Sequence, residues 1–295
     1  MPVYRPETLE EANAGDKPAR LAVIGHPVGH SASPRMHQPA LDEAGIDASY
    51  IAVEVDPGTV AQTFARMREL GFIGCNVTVP HKFEALAACD EIEDAARELG
   101  AVNTVRFDDD AIRGTNTDGY GFEQAIREDL EFELSDAAVF IAGAGGGAGG
   151  AIATHCACSG VARIVLSNRT ISKIEELATK IRRLHPDVDL ITCGADAPAE
   201  VLQELTGSCS LLVNTSSLGL KADDPSPLPA GCFFPRHAVF DSIYQPPRTS
   251  FLIAAEQAGA RTANGKGMLL HQGVAAFRYW FPGTDPTEAM RAGLG

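Results

Sequence analysis

Lysine is in short supply: only 6 of the 24 basic residues in this 295-residue chain are Lys, and 39 acidic residues leave a formal charge of −15. So strong an excess of negative charge argues against binding to nucleic acid or an anionic membrane, both of which need basic patches. Long apolar runs are also missing. No stretch approaches the roughly 18 residues of a membrane span, and the polar opening "MPVYRPETLEEANAGDKPAR" lacks the apolar core of a signal peptide. Cysteine is sparse and odd in number, 7 residues spread along the chain, which argues against a disulfide framework and for reduced thiols in a cytoplasm. The segment "HCAC", His155 to Cys158, has the residue types of a metal site. It has no second ligand pair at finger-like spacing, however, and reads as a helix interior. His26, His30 and His37 form no ligand set either, and no metal is expected. The acidity suits either a salt-rich cytoplasm or drift.

With 45% hydrophobic and 21% charged residues, the chain suits two domains, each with its own core. "RLAVIG", Arg20 to Gly25, reads as a strand. "SPRMHQPALDEAG" then reads as a helix with Ser33 as N-cap, Pro34 at the first position and Gly45 past the end; Pro39 predicts a kink or early break. "SYIAVEV" is a second strand, and "PGTVAQTFARMRELG" a helix with Val60, Phe64 and Met67 on one stripe. "FIGCNVTVPHK" is the third strand, alternation placing Val77 and Val79 on one face and Asn76 and Thr78 on the other. A helix over Glu91 to Leu99 and a hairpin across "AVNTVRFDDDAIRGTNTD" follow. A second unit opens near Tyr120 with a helix through Leu130, and continues with the strand–turn–helix "AAVFIAGAGGGAGGAIATHCACSG", the strand "RIVLSNR" and the helix "ISKIEELATKIRRLH". It ends with strands in "SLLVNTSSLG" and "AVFDSIYQP", and a last helix begins around Gly267. The expected fold is α/β with a mostly parallel sheet: a substrate domain over residues 1–118, a dinucleotide-type domain over 119–265, and a helix over 266–295 returning to the first.

Gly143, Gly145 and Ala148 fit G-x-G-x-x-G/A between a strand and a helix, where glycine lets backbone N–H groups approach a pyrophosphate. An NAD site typically ends its next strand with Asp or Glu. This one ends with Asn168, Arg169 and Thr170, and a guanidinium pairs with a 2′-phosphate through two hydrogen bonds. NADP is the expected cofactor.

The first domain gathers neutral polar groups at its strand ends: Ser31 and Ser33; Asn76, Thr78 and Lys82; Asn103; and Asp118. Such a set suits a ligand with several hydroxyls, and a lysine suits its carboxylate or its reacting oxygen. Singly each has a plain alternative, since Ser33 and Asp118 could cap helices and a lone Lys is usually a solvated charge.

Together the motifs resemble the shikimate dehydrogenase family. "GHPVGHSASPRMH", "GFIGCNVTVPHK", "GAVNTV", "GTNTDGYGF", "GAGGGAGGA", "SNRT", "VNTSSLG", "DSIYQPPRTSFL" and "GKGMLLHQG" follow in the family's order from residue 25 to about 283. The resemblance implies two α/β domains, the second Rossmann-like, with the site in a cleft between them. It also implies NADP-linked reduction of 3-dehydroshikimate to shikimate, a step in aromatic amino-acid synthesis. By the same resemblance Ser31 and Ser33 hold the substrate carboxylate, with Tyr244 completing that side, and Asn76, Thr78, Lys82, Asn103, Asp118 and Gln272 hold the ring hydroxyls and the reacting oxygen. Gly143, Ala144, Gly145, Gly146, Gly147 and Ala148, with Asn168, Arg169, Thr170 and Thr215, line the cofactor, and Ser242 and Gly265 lie near the nicotinamide. Hydride addition to a ketone leaves alkoxide character on oxygen, which Lys82, partnered by Asp118, would neutralise.

The chain departs from the family pattern at Gln38 and Pro39, at Ser242 where larger residues often stand, and at Gly149 in place of a common basic residue. The first 20 residues lie outside the resemblance. The partner expected is a small molecule, with the chain a monomer or homodimer. Rival readings are a relative that oxidises quinate as well as shikimate, using NAD or NADP, and a non-catalytic dinucleotide sensor.

Overall fold

The structure, a computed structural model, describes residues 2–295 and divides into two compact units. One comprises the chain up to Thr117 together with Leu270–Gly295; the other is Asp118–Leu269.

The first unit carries β1 (Val3–Tyr4), α1 (Leu9–Ala12), β2 (Ala19–Gly25), α2 (Ser33–Glu43), β3 (Ser49–Glu54), α3 (Val60–Glu69), β4 (Gly74–Val77), α4 (Lys82–Ala88), β5 (Glu91–Ile92), α5 (Asp94–Leu99), β6 (Thr104–Phe107) and β7 (Ile112–Thr115). The sheet order is β1-β3-β2-β4-β6-β7-β5. Its first four strands run parallel, and β6 and β7 form the antiparallel hairpin. The expected stripe of α3 holds, with Val60, Phe64 and Met67 all buried beside Ile24, Val53 and Val77.

Three expectations are corrected. The helix α2 runs through Pro39 to Glu43. Proline there removes one N–H donor only and leaves the Arg35 carbonyl unclaimed by the helix. That carbonyl is packed against by Gly293 of α12 (Thr287–Leu294), while Arg35 Nη2 donates to Leu294 O at 3.2 Å. Ser33 is not the cap: Ala32 occupies that position, without a side-chain bond. The third strand ends at Val77, and Val79, two residues on, is 66% exposed rather than sharing a buried face with Val77. The N-terminal segment outside the resemblance is built into the unit. β1 extends the sheet beside β3, Leu9 is fully buried, and Arg5 pairs with Glu54 and Asp56.

The second unit contains α6 (Asp118–Leu130), β8 (Ala138–Ala142), α7 (Gly147–Cys158), β9 (Arg163–Asn168), α8 (Ile171–Leu184), β10 (Asp189–Gly194), α9 (Ala199–Gly207), β11 (Leu211–Asn214), β12 (Ala238–Asp241), α10 (Ser250–Gln257) and β13 (Arg261–Asn264). Helix α11 (Lys266–Trp280) starts here and runs on into the first unit. All strand pairs are parallel, in the order β10-β9-β8-β11-β12-β13. Such a sheet has helices on both faces, so its strands are apolar throughout. Val139, Ile141, Ile164, Leu166 and Val213 fill one core, while Phe140, Val165, Leu212 and Val239 fill the other. Strand order reverses between β8 and β11, and open α/β sheets bind ligands outside the carboxyl ends of the strands at such a switch point.

Candidate active site

In the first unit the polar residues form one hydrogen-bonded chain. Ser31 Oγ donates to Ser33 Oγ at 3.2 Å, and Ser33 is a hydrogen-bond partner of Tyr50. The Tyr50 hydroxyl donates to Asn76 Oδ1 at 2.7 Å, and Asn76 Nδ2 donates to Thr104 Oγ1 at 3.1 Å. Thr104 Oγ1 in turn donates to Asn103 Oδ1 at 2.9 Å, which also accepts from Thr117 N at 2.9 Å. Ser33, Tyr50, Asn76, Asn103, Thr104 and Thr117 are all buried, and burial pushes the Tyr50 phenol well above its ordinary range. Pairing spares these buried groups the cost of desolvation, and the network fixes the orientation of each amide. Tyr50 was not legible as a site residue: it reads as one more apolar position of a buried strand.

The tip of β4 is tied down from several sides. Thr78 N donates to Ile24 O at 2.9 Å, His26 N to Val79 O at 3.1 Å, and Val102 N to Lys82 O at 3.0 Å. His81 is fully buried, with Nε2 donating to Val55 O at 2.8 Å. Lys82 opens α4 and is half-buried; Gln272 is half-buried on α11. His37 stacks on Tyr50 with ring centroids 4.4 Å apart and an interplanar angle of 4°. Neither of its ring nitrogens has a hydrogen-bond partner among the described residues, and burial lowers its pKa to about 3.

In the second unit Asp118 is buried as the first residue of α6, so it lies within the helix rather than flanking it. The other predicted residues stand at the carboxyl ends of the parallel strands. Gly143 and Gly145 take φ of +83° and +93° in the turn after β8, backbone that side chains rarely adopt. Helix α7 begins at Gly147 with Gly146 as N-cap, no capping side chain and no acid in its first turn. Its free N–H groups and positive dipole end therefore suit a phosphate. Gly149, which stands where the family commonly has a basic residue, is closely packed. A Cβ there would lie 2.6 Å from Thr215 Oγ1 and 2.9 Å from Gly143 O.

After β9, Asn168 Nδ2 donates to Ala144 O and Asn168 Oδ1 accepts from Thr170 N at 2.9 Å. Asn168 thus shapes the turn, leaving Arg169 and Thr170 exposed. Lys173 was missed. It lies on the first turn of α8 four residues beyond Arg169, and its Cβ would sit 3.1 Å from a Cβ on Gly145. The signal available was the placement of a second cation just after the strand end, in the first turn of the helix that follows. Thr215 follows β11, Ser242 and Tyr244 follow β12, and Gly265 follows β13.

A family model described as the shikimate dehydrogenase substrate binding domain matches residues 23–105, and one for the shikimate 5′-dehydrogenase C-terminal domain matches residues 265–292. A shikimate dehydrogenase (NADP(+)) from Methanopyrus kandleri is 39% identical over 273 residues, 92% of this chain and 93% of that protein. The chain belongs to the shikimate dehydrogenase family. Among solved structures, shikimate 5-dehydrogenase from Listeria monocytogenes in complex with shikimate and NAD superposes with a TM-score of 0.87 at 31% identity, covering 94% of this chain and 96% of that one. The Thermus thermophilus enzyme in complex with NADP(H) and shikimate gives 0.80 at 34% identity, covering 94% and 98%. The substrate-domain match spans the strand tips carrying Ser31, Ser33, Asn76, Thr78, Lys82 and Asn103, and the C-terminal match spans Gln272. Among the described residues no helix is long and apolar enough to cross a membrane.

Proposed function

We propose that this chain catalyses the reversible NADP-linked reduction of 3-dehydroshikimate to shikimate, an oxidoreductase step of the shikimate pathway. The observation carrying this reading is the conjunction of a buried Ser–Tyr–Asn–Asn network beside Lys82 with a strand-end set holding Arg169 and no carboxylate at the dinucleotide position. When bound, NADPH supplies a hydride. Gly146, Gly147 and the first turn of α7 would hold its pyrophosphate, and Arg169, Thr170 and Lys173 its 2′-phosphate.

Ser31 and Ser33 bind the substrate carboxylate, assisted by Tyr244. Thr78, Asn103 and Gln272 orient the ring hydroxyls, and Asn76 acts beside them, its amide held by Tyr50 and Thr104. Lys82 holds or gives the proton taken up by the reacting oxygen, and Asp118 shares the acid–base role. All seven cysteines are free thiols, four of them buried, which supports a reducing cytoplasm as the place of action.

The test offers shikimate and quinate separately with NADP+ and NAD+, following nicotinamide absorbance. Turnover confined to NADP+ with shikimate is expected. Comparable rates with quinate or NAD+ would move the chain to the dual-substrate branch, and no turnover with any pair would sink the catalytic reading.

A further inference from the structure

Asp241, at the end of β12, is fully buried and has no part in the chemistry just described. Its Oδ1 accepts from Asn214 Nδ2 at 3.1 Å and from Ile243 N at 3.0 Å, and its Oδ2 accepts from Thr249 Oγ1 at 2.6 Å. Each partner governs a different piece of backbone. Asn214, also fully buried, ends β11; its Oδ1 accepts from Ser216 N at 3.0 Å and Ser216 Oγ at 2.7 Å, and its Nδ2 also donates to Leu218 O at 3.1 Å. The whole turn from Thr215 to Leu218 is thus folded around that amide. Thr249 closes the far end of the loop after β12 and caps α10, accepting from Leu252 N at 3.3 Å.

The turn after β13 is docked onto the same loop. Gly265 N donates to Ile243 O at 3.1 Å, and Asn264 Nδ2 donates to Pro247 O at 3.0 Å. Gly265 sits so close that a Cβ would fall 2.1 Å from Ser242 O. The loops after β11 and β12 are therefore joined at one carboxylate, and the loop after β13 is held through its bonds to the β12 loop. They carry Thr215, Ser242, Tyr244 and Gly265.

We infer that Asp241 is a positioning residue: it locks the three loops that present Thr215, Ser242, Tyr244 and Gly265, and so sets the geometry for hydride transfer. The physical reason is acceptor capacity. An ionised carboxylate takes three or four donors at once, which suits one atom group that must satisfy an amide, a backbone N–H and a hydroxyl away from water. Burial raises the Asp241 pKa, and the bonds from Thr249, Ile243 and Asn214 oppose that rise. The effect on rate comes through position, since a misplacement of about 1 Å costs roughly 100-fold.

This inference deepens the proposed function and is tested so that the two can fail separately. Wild type, Asp241→Ala and Asp241→Asn are compared in full-length protein by steady-state kinetics with NADP+ and shikimate, and by amide hydrogen exchange. Asn keeps the shape, can accept from Asn214 and Ile243, and can donate to Thr249. In Asp241→Ala, kcat/KM should fall about 100-fold, mainly through kcat, and exchange should quicken at residues 215–219, 243–248 and 264–266 while the β8 and β9 amides stay protected. Asp241→Asn should recover kcat/KM to within about fivefold of wild type. Wild-type kcat/KM, or wild-type protection of the three loops, in folded Asp241→Ala overturns the inference. Should Asp241→Ala fail to fold, Thr249→Val removes one of the three bonds. Faster loop exchange with a loss of about tenfold in kcat/KM supports the inference, and wild-type behaviour in either overturns it. If wild type itself does not oxidise shikimate, the functional proposal fails, and the exchange experiment decides the role of Asp241 alone.

Discussion

Lys82 opens α4, and its backbone carbonyl accepts from Val102 N at 3.0 Å, which fixes where its side chain starts. Replacing it by Ala should lower kcat by about 100-fold or more with little change in KM, because the proton proposed for it is needed in the transition state. Turnover near wild type would remove Lys82 from the mechanism. His37 makes a different demand, on stability. Its pKa is about 3 in the fold, against an ordinary value of 6.5. Between those values the unfolded chain binds the extra proton, so stability from this group is complete above about pH 6.5 and is lost as pH falls. From about pH 7 to about pH 5 the loss is about 2 kcal/mol. His37→Phe should therefore show a smaller drop in Tm over that interval than wild type, and an equal drop would contradict this assignment. His237, lowered to about 4 by burial, contributes in the same direction and stays in both proteins.

Elements were legible to the extent that local pattern determines them. The stripe of α3 and the glycine turn before α7 follow from periodicity and backbone sterics, and both stand where the sequence puts them. The end of β4 and the passage of α2 through Pro39 did not follow, because each depends on packing by distant residues: Val79 is left exposed, and α12 packs on α2. The same holds for the site. Its strand-tip serines and amides announce themselves by type, whereas Tyr50 and Asp241 acquire a role only through partners far along the chain, 26 residues away for Tyr50 and Asn76, 27 for Asn214 and Asp241. Gly149 departs from the family pattern in charge, and only the packed turn shows that a Cβ there would meet Thr215 and Gly143. Gly149→Ala should cost about 2 kcal/mol and lower Tm by about 4–8 °C, with a raised KM for NADP+. Unchanged Tm and KM would show that the turn relaxes freely.

At the scale of the whole molecule, the dominant quantity is the formal charge of −15. Surface ion pairs such as Arg113 with Glu91 and Asp110 each contribute about 0–1 kcal/mol and weaken in salt. The uncompensated negative charge acts over the entire surface and is relieved by the same salt. With 39 acids against 24 bases the second effect should win. Raising KCl from about 0.1 M to about 2 M should lift Tm by about 5 °C. A flat or falling Tm would mean that local pairs outweigh the net charge.

The central claim is that this chain moves a hydride between a nicotinamide and a ring ketone, and isotope transfer tests it most directly. Purified protein would be given 3-dehydroshikimate and NADPH deuterated at the nicotinamide C4, with deuterium on the face the enzyme uses established from both epimers, and the product examined by mass spectrometry and NMR. The account predicts shikimate carrying one deuterium on the carbon that bears the new hydroxyl, from one epimer only. Shikimate free of deuterium with both epimers, or no shikimate at all, would contradict it.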